Sequence, residues 1–211
     1  MNLVNDKDIR IERLVLGPYE TNCYILVCQQ TKENLVVDVP AGASEIIKAL
    51  EGTQPKYILL THDHYDHTGV MTSLRARLKA PLACHELDSF QLKTPPEIML
   101  NDGYSLKLGN INIKVIHTPG HTPGGLCFWL GKYCFVGDTI FPGGPGHTET
   151  PDDFKQIIQS ITQKIFALRD ETVLLPGHGD GTTVKKAKEE YKDFAAKTHG
   201  VICGDVTWAG A

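Results

Sequence analysis

The 211-residue chain has no apolar run long enough to cross a bilayer. Its longest, Cys23–Cys28 and Leu126–Leu130, fall far short of the roughly 20 residues a spanning helix needs. The opening residues, M-N-L-V-N-D-K-D-I-R, carry no basic patch leading into an apolar stretch. No secretory signal is visible there, and a cytosolic location is expected. Charge of one sign is also missing. The 21 basic and 25 acidic side chains leave −4 with histidine neutral, too small and too even for a disordered acidic tail or a non-specific nucleic-acid binder. No Pro/Gly/Ser-rich linker, repeat or low-complexity tract interrupts the sequence, so residues 1–211 are expected to form one domain, long enough to bury a full core. Six cysteines occur, at 23, 28, 84, 127, 134 and 203, but none in a C-x-x-C pair. Cys23, Cys127 and Cys134 lie in apolar runs where the residue acts as a small hydrophobe, and no disulfide framework is expected.

What is present is patterned. Ile9–Leu16, Cys23–Cys28 and Leu35–Val39 predict strands, and Ser44 is placed as N-cap of a helix over Glu45–Glu51. Tyr57–Leu60 has the continuous apolar character of a strand buried on both faces. Helical spacing follows over Val70–Lys79, then a strand over Pro81–Cys84. A second block of strands covers Leu106–Leu108, Ile111–Ile116, Leu126–Leu130 and Tyr133–Val136, with hairpin turns at Gly109-Asn110 and Gly131-Lys132. A helix from Asp152 or Asp153 to about Leu168 places Phe154, Ile157, Ile158, Ile161 and Ile165 on one face. A strand over Thr172–Leu175 and a charged helix over Val184–Ala196 complete the chain. Two sheets packed face to face with helices outside account for this order.

Nine histidines stand out, and their positions carry the chemistry. Residues 61–67 read T-H-D-H-Y-D-H directly after the buried strand Tyr57–Leu60. In an extended segment His62 and His64 point the same way, as two ligands of one ion should. Asp66 and His67 follow the turn of the chain and can address an adjacent position. Imidazole and carboxylate together suit zinc, and also iron or manganese. Without a cation, so many imidazoles at one strand end would repel one another on protonation. Three further strands end in ligand-type residues within Gly-rich loops: His121 in H-T-P-G-H-T-P-G-G, Asp138 in G-D-T, and His178 in P-G-H-G-D.

In this motif order the chain resembles the metallo-β-lactamase-fold hydrolases, and within them the hydroxyacylglutathione hydrolase (glyoxalase II)-like group. The resemblance runs from about Ile11 to His178. It implies an α/β fold, an αβ/βα four-layer sandwich of two mixed sheets flanked by helices, with the site at one sheet edge. It also implies His62, His64 and His121 on one metal, Asp66, His67 and His178 on a second, and Asp138 bridging. The Asp66-His67 pair and bridging Asp138 separate the chain from β-lactamases with a Cys ligand. Only about thirty residues follow His178, enough for one helix, where glyoxalase II enzymes carry a helical extension. Pro145-Gly146-His147-Thr148 stands where glutathione-handling relatives have Cys-Gly-Lys or Cys-Gly-Arg.

The expected activity is hydrolysis of a small thioester or related ester by a hydroxide bridging two metals, zinc in the first instance. Asp66 and Asp138 are the expected catalytic carboxylates, with Asp66 able to pass a proton while remaining a ligand. Thr61 and Asp63 are candidates to support the imidazoles. The alternative is a mononuclear iron oxidoreductase of the persulfide dioxygenase kind, on His62, His121 and Asp138. The partner is a small-molecule substrate, with neither nucleic acid nor membrane. A non-catalytic metal-binding module and RNA phosphodiester cleavage are weaker readings. His85, His117, His147 and His199 are expected to be structural or exposed.

Overall fold

The computed structural model describes residues 1–209. One sheet joins β1 (Asn2–Asn5), β2 (Ile9–Leu16), β3 (Thr21–Cys28), β4 (Glu33–Val37), β5 (Gln54–Leu59), β6 (Leu82–His85) and β7 (Ile98–Leu100) in sequence order. The other joins β8 (Ser105–Leu108), β9 (Ile111–His117), β10 (Leu126–Leu130), β11 (Tyr133–Gly137), β14 (Val173–Pro176) and β15 (Thr182–Thr183). Between them in sequence, β12 (Ile140–Phe141) and β13 (Gly144–Pro145) form a small ribbon. Both large sheets are mixed: β4 through β7 and the β11–β14 pair run parallel, while the other neighbours are antiparallel.

Side-chain alternation assigns each strand residue to one of three apolar layers. All of β3 is buried: Tyr24, Leu26 and Cys28 enter the layer between the sheets, while Cys23, Ile25 and Val27 face the helices. On β10 and β11, Leu126, Phe128 and Phe135 enter the middle layer, and Cys127, Cys134 and Val136 face the other way. Helices α1 (Ala43–Ala49) and α3 (Met71–Leu78) cover the first sheet through Ile46, Met71 and Leu74. Helices α4 (Pro151–Ser160) and α5 (Val184–Ala195) cover the second through Phe154, Ile157, Val184 and Phe194. The result is the expected αβ/βα sandwich of two mixed sheets.

Details differ where local chemistry outweighs periodicity. Helix α1 is capped by Gly42 in the left-handed conformation (φ 64°), and the Ser44 hydroxyl instead donates to its neighbour Glu45 at 2.7 Å. Helix α4 starts at Pro151, ahead of the expected Asp152 or Asp153, and is capped by Thr150, which forms a reciprocal capping box with Asp153. That helix does not run as α to Leu168, because Ile161–Ile165 adopts π geometry. The hairpin turns at Gly109-Asn110 and Gly131-Lys132 close the β8–β9 and β10–β11 pairs as expected. The six cysteines are free thiols, five of them buried. Among the described residues, no helix is long and apolar enough to cross a membrane.

Candidate metal centre

Loops following β4, β5, β9, β11 and β14 converge at one edge of the sandwich. His62, after β5, is buried, and the chain turns at His64 into the four-residue helix α2 (Tyr65–Thr68), which carries Asp66 and buried His67. The loop after β9 brings His121, the end of β11 brings Asp138, and the end of β14 brings His178. Gly137 permits the close approach of two strand ends: with φ +48°, a Cβ there would meet the Thr61 hydroxyl at 2.5 Å. At Gly177 a Cβ would run into the Asp138 carboxylate.

All seven residues singled out from the sequence meet in this cluster. His62, His64 and His121 form one group whose ligand-type atoms lie within 4.8 Å of one another, and Asp66, His67 and His178 form a second. His62, His67 and Asp138 make a third grouping that overlaps both, so Asp138 stands between the two. The facing contacts are nitrogen on nitrogen: His121 Nε2 lies 3.0 Å from His64 Nδ1, and His67 Nε2 lies 3.3 Å from His178 Nε2. Asp138 Oδ1 is 3.5 Å from His67 Nε2, and its Oδ2 is 3.7 Å from His121 Nε2 and 3.5 Å from His178 Nε2.

The outward side of each ring explains why these nitrogens face inward. His121 Nδ1 donates to the His147 carbonyl at 2.9 Å, and His178 Nδ1 donates to the Tyr19 carbonyl at 3.0 Å. His67 Nδ1 donates to Asp38 Oδ2 at 2.8 Å. The Thr61 hydroxyl donates to Asp38 Oδ2 at 2.8 Å, which leaves its lone pair to accept from His62 Nδ1 at 3.0 Å. Each of these four bonds fixes its ring with Nε2 aimed into the cluster. Buried His62 Nε2 and Asp138 Oδ1 have no hydrogen-bond partner at all. Orphaned buried acceptors are costly. Imidazole and carboxylate donors converging without partners are the donor set of a divalent cation, so the residues fit a metal.

Electrostatics separate the two groups. Burial, reinforced by the neighbouring imidazoles, pushes His62 well below the usual histidine range, and burial also lowers His121. In the second group, burial opposes the charge on His67, but the Asp38 carboxylate overcomes it and raises the ring to about 9. A hydrogen bond to Asp66 raises His178. Burial of Asp66 is outweighed by His178 and His67, which bring the carboxyl down to about 2.

Two functional neighbours escape sequence reasoning. Asp38 falls inside the run Leu35–Val39 predicted as strand. In fact β4 stops at Val37, and Asp38 takes a left-handed turn (φ 58°) that points its buried carboxylate at Thr61 and His67. The available signal was a lone carboxylate closing an apolar strand, the same pattern that marks Asp138. Asp88, in the short 3-10 turn after β6, accepts from the Thr122 hydroxyl and the Gly124 amide, both at 2.7 Å, and so clamps the His121 loop. Burial lifts its pKa to about 6. Thr61 supports His62 as expected.

The remaining histidines lie outside the cluster. His85 caps the turn before Asp88 and stacks on His117 at 4.1 Å, and His199 stacks on Phe194 at 3.9 Å. The His147 ring turns to Asp205 at 2.9 Å, and only its backbone carbonyl serves the site.

A model of the Metallo-beta-lactamase superfamily matches residues 16–178. Among curated proteins, the chain is 31% identical over 203 residues to the hydroxyacylglutathione hydrolase GloC of Haemophilus influenzae, covering 85% of this chain and 95% of that protein. Among solved structures, BLEG-1 B3 metallo-beta-lactamase is 30% identical with TM-score 0.76, covering 85% of this chain and 96% of that one. TTHA1623 in a di-iron-bound form is 27% identical with TM-score 0.72, covering 84% and 96%.

Proposed function

The chain belongs to the Metallo-beta-lactamase superfamily, and from that premise we propose that it is a dinuclear metal-dependent hydrolase of small thioesters. The observation that carries the reading is the pair of adjacent three-ligand groups with Asp138 between them. His62, His64 and His121 would hold one cation, Asp66, His67 and His178 the other, and Asp138 both. Divalent cations in such a site supply a water nucleophile active at neutral pH and electrophilic pull on an acyl oxygen. The imidazole and carboxylate donors favour zinc, with iron and manganese compatible.

The protein's own part is preorganisation. The Asp38–Thr61 network fixes the His62 and His67 tautomers before any substrate arrives. Asp66, held ionised by its histidine neighbours and hydrogen-bonded by the Thr21 hydroxyl at 3.3 Å, is positioned as an anionic ligand for the second cation. A thiol with pKa about 8.5 departs as thiolate without a strong acid. That property suits a centre whose carboxylates are committed to ligation, and it favours a thioester over an ordinary ester. The similarity to GloC supports the same reaction class.

The test pairs metal content, measured on protein purified without chelator, with turnover of S-lactoylglutathione, a simple acyl thioester and a β-lactam. About two zinc per chain with thioester turnover is expected. One iron per chain with oxygen uptake and no thioester cleavage would move the assignment to the dioxygenase reading. Preferential β-lactam cleavage would move it towards the activity named for BLEG-1.

A further inference from the structure

A cavity of about 150 Å³ opens directly beside the second ligand group. Leu16, Pro18 and Tyr19 line it from the tip of the β2–β3 hairpin, Pro40 and Ala41 from the loop before α1, and Tyr65 from the first turn of α2. Asp66 lines it as well, so the cavity adjoins the candidate metal centre. Tyr19 and Tyr65 are 65% and 77% exposed, a large aromatic surface to leave in water at the mouth of a site. Among the described residues that line it there is no lysine, arginine or histidine. Arg13, on the same hairpin, is held by Asp180 at 3.1 Å and the Gly179 carbonyl at 2.8 Å.

The hairpin tip is also rigidly joined to the chemistry. The Tyr19 carbonyl orients His178, Thr21 bridges to His178 and donates to Asp66, and Asn22 Nδ2 donates to the Pro176 and Gly179 carbonyls at 2.9 Å. A group seated against Tyr19 is therefore held in fixed register with the ligand cluster. A larger apolar cavity of about 420 Å³, between α4 and the C-terminal segment, shares no residue with that cluster.

From this geometry we propose that the Tyr19–Tyr65 cavity is the acyl subsite and selects an uncharged, apolar acyl group up to about the size of a phenyl ring. The proposal rests on the hydrolase reading and narrows its substrate class. A cavity of roughly 150 Å³ lined by apolar groups takes one benzene-sized ligand. No lysine, arginine or histidine on its walls pairs with a carboxylate carried at the far end of an acyl chain, so such a group would be desolvated there without a side-chain partner.

The test is calorimetric titration of zinc-loaded protein with phenylacetate and with acetate, alongside turnover of acetyl and phenylacetyl thioesters of one common thiol. Phenylacetate is expected to bind at least about tenfold more tightly than acetate, as burial of a ring predicts, with kcat/KM following the same order. Ala41→Leu, which fills the cavity, and Tyr65→Ala, which removes an exposed wall without touching the core, should each erase most of that preference. Equal affinities, or a preference that both variants leave intact, would overturn the subsite assignment. Tight phenylacetate binding without thioester cleavage would overturn the hydrolase reading and leave the subsite standing. Equal binding with equal turnover would do the reverse.

Discussion

The two ligand groups are built from similar residues but opposite electrostatics. His62, His64 and His121 offer imidazole alone, and burial keeps His62 and His121 below their ordinary pKa. Asp66, His67 and His178 sit against Asp38 and Asp138, and the carboxylates raise His67 to about 9 and His178 above its ordinary value. In the first group the charged forms of His62 and His121 are disfavoured. The second group is rich in carboxylate, and a cation entering it must displace the proton on His67. Burial depth alone does not explain the difference, since His62 and His67 are both essentially inaccessible. The nearby carboxylates do.

Removing Asp138, which serves both groups, should have the largest effect. Asp138→Ala is expected to lower thioester hydrolysis by more than about 100-fold, beyond the usual loss of a supporting hydrogen bond. Metal content should drop below that of the wild type. Normal activity with full metal content would break the idea of a shared ligand.

Asp38→Asn separates the groups by degree, because Asp38 bonds the His67 ring directly and reaches His62 only through Thr61. It should weaken metal binding at the second group by about 10- to 100-fold, and NMR titration of metal-free protein should find His67 well below its value of about 9. Equal weakening at both groups would erase the distinction between them.

The third expectation concerns pH. Metal affinity at the second group should climb as pH rises towards about 9, because His67 must release its proton. The lowered His62 and His121 should add little to any change above neutrality. Calorimetry in buffers of different ionisation enthalpy reads the proton release. For the metal-free fold the sign is opposite. With a native pKa raised from 6.5, His67 contributes stability that is fully present below pH 6.5 and lost as pH passes through about 9.

The smallest effect concerns the His121 loop. Asp88 titrates near 6 in the fold against an ordinary 3.8, so its contribution to stability is greatest below 3.8 and is lost as pH rises through 6. Asp88→Asn should remove that dependence, and denaturant midpoints should differ from wild type most clearly across this interval. Activity should fall by only about threefold if the introduced amide keeps one of the two loop contacts, a loss of under about 1 kcal/mol.

Much of this was legible along the chain because each ligand-type residue follows a buried strand, and strand ends sharing a sheet edge meet in space. The apolar run Cys23–Cys28 marked a strand, but which of its residues enter the middle layer was not readable, because both faces are apolar. What stayed hidden depends on tertiary partners. Asp38 is an acceptor only because Thr61 and His67 arrive from the neighbouring strand end, and Asp88 acts on a loop more than thirty residues away. β1, β7 and β15 are two to four residues long and draw their order from their neighbours. The α4 cap is Thr150, whose hydroxyl pairs with Asp153 in the reciprocal box.

If two adjacent cation sites act as one hydrolytic centre, activity must follow the second metal. Stepwise addition of zinc to metal-free protein, with thioester hydrolysis followed at each step, decides the matter. Activity should rise to a break at about two equivalents per chain, in line with a two-metal centre. Saturation at one equivalent, or no hydrolysis at any loading, would contradict it.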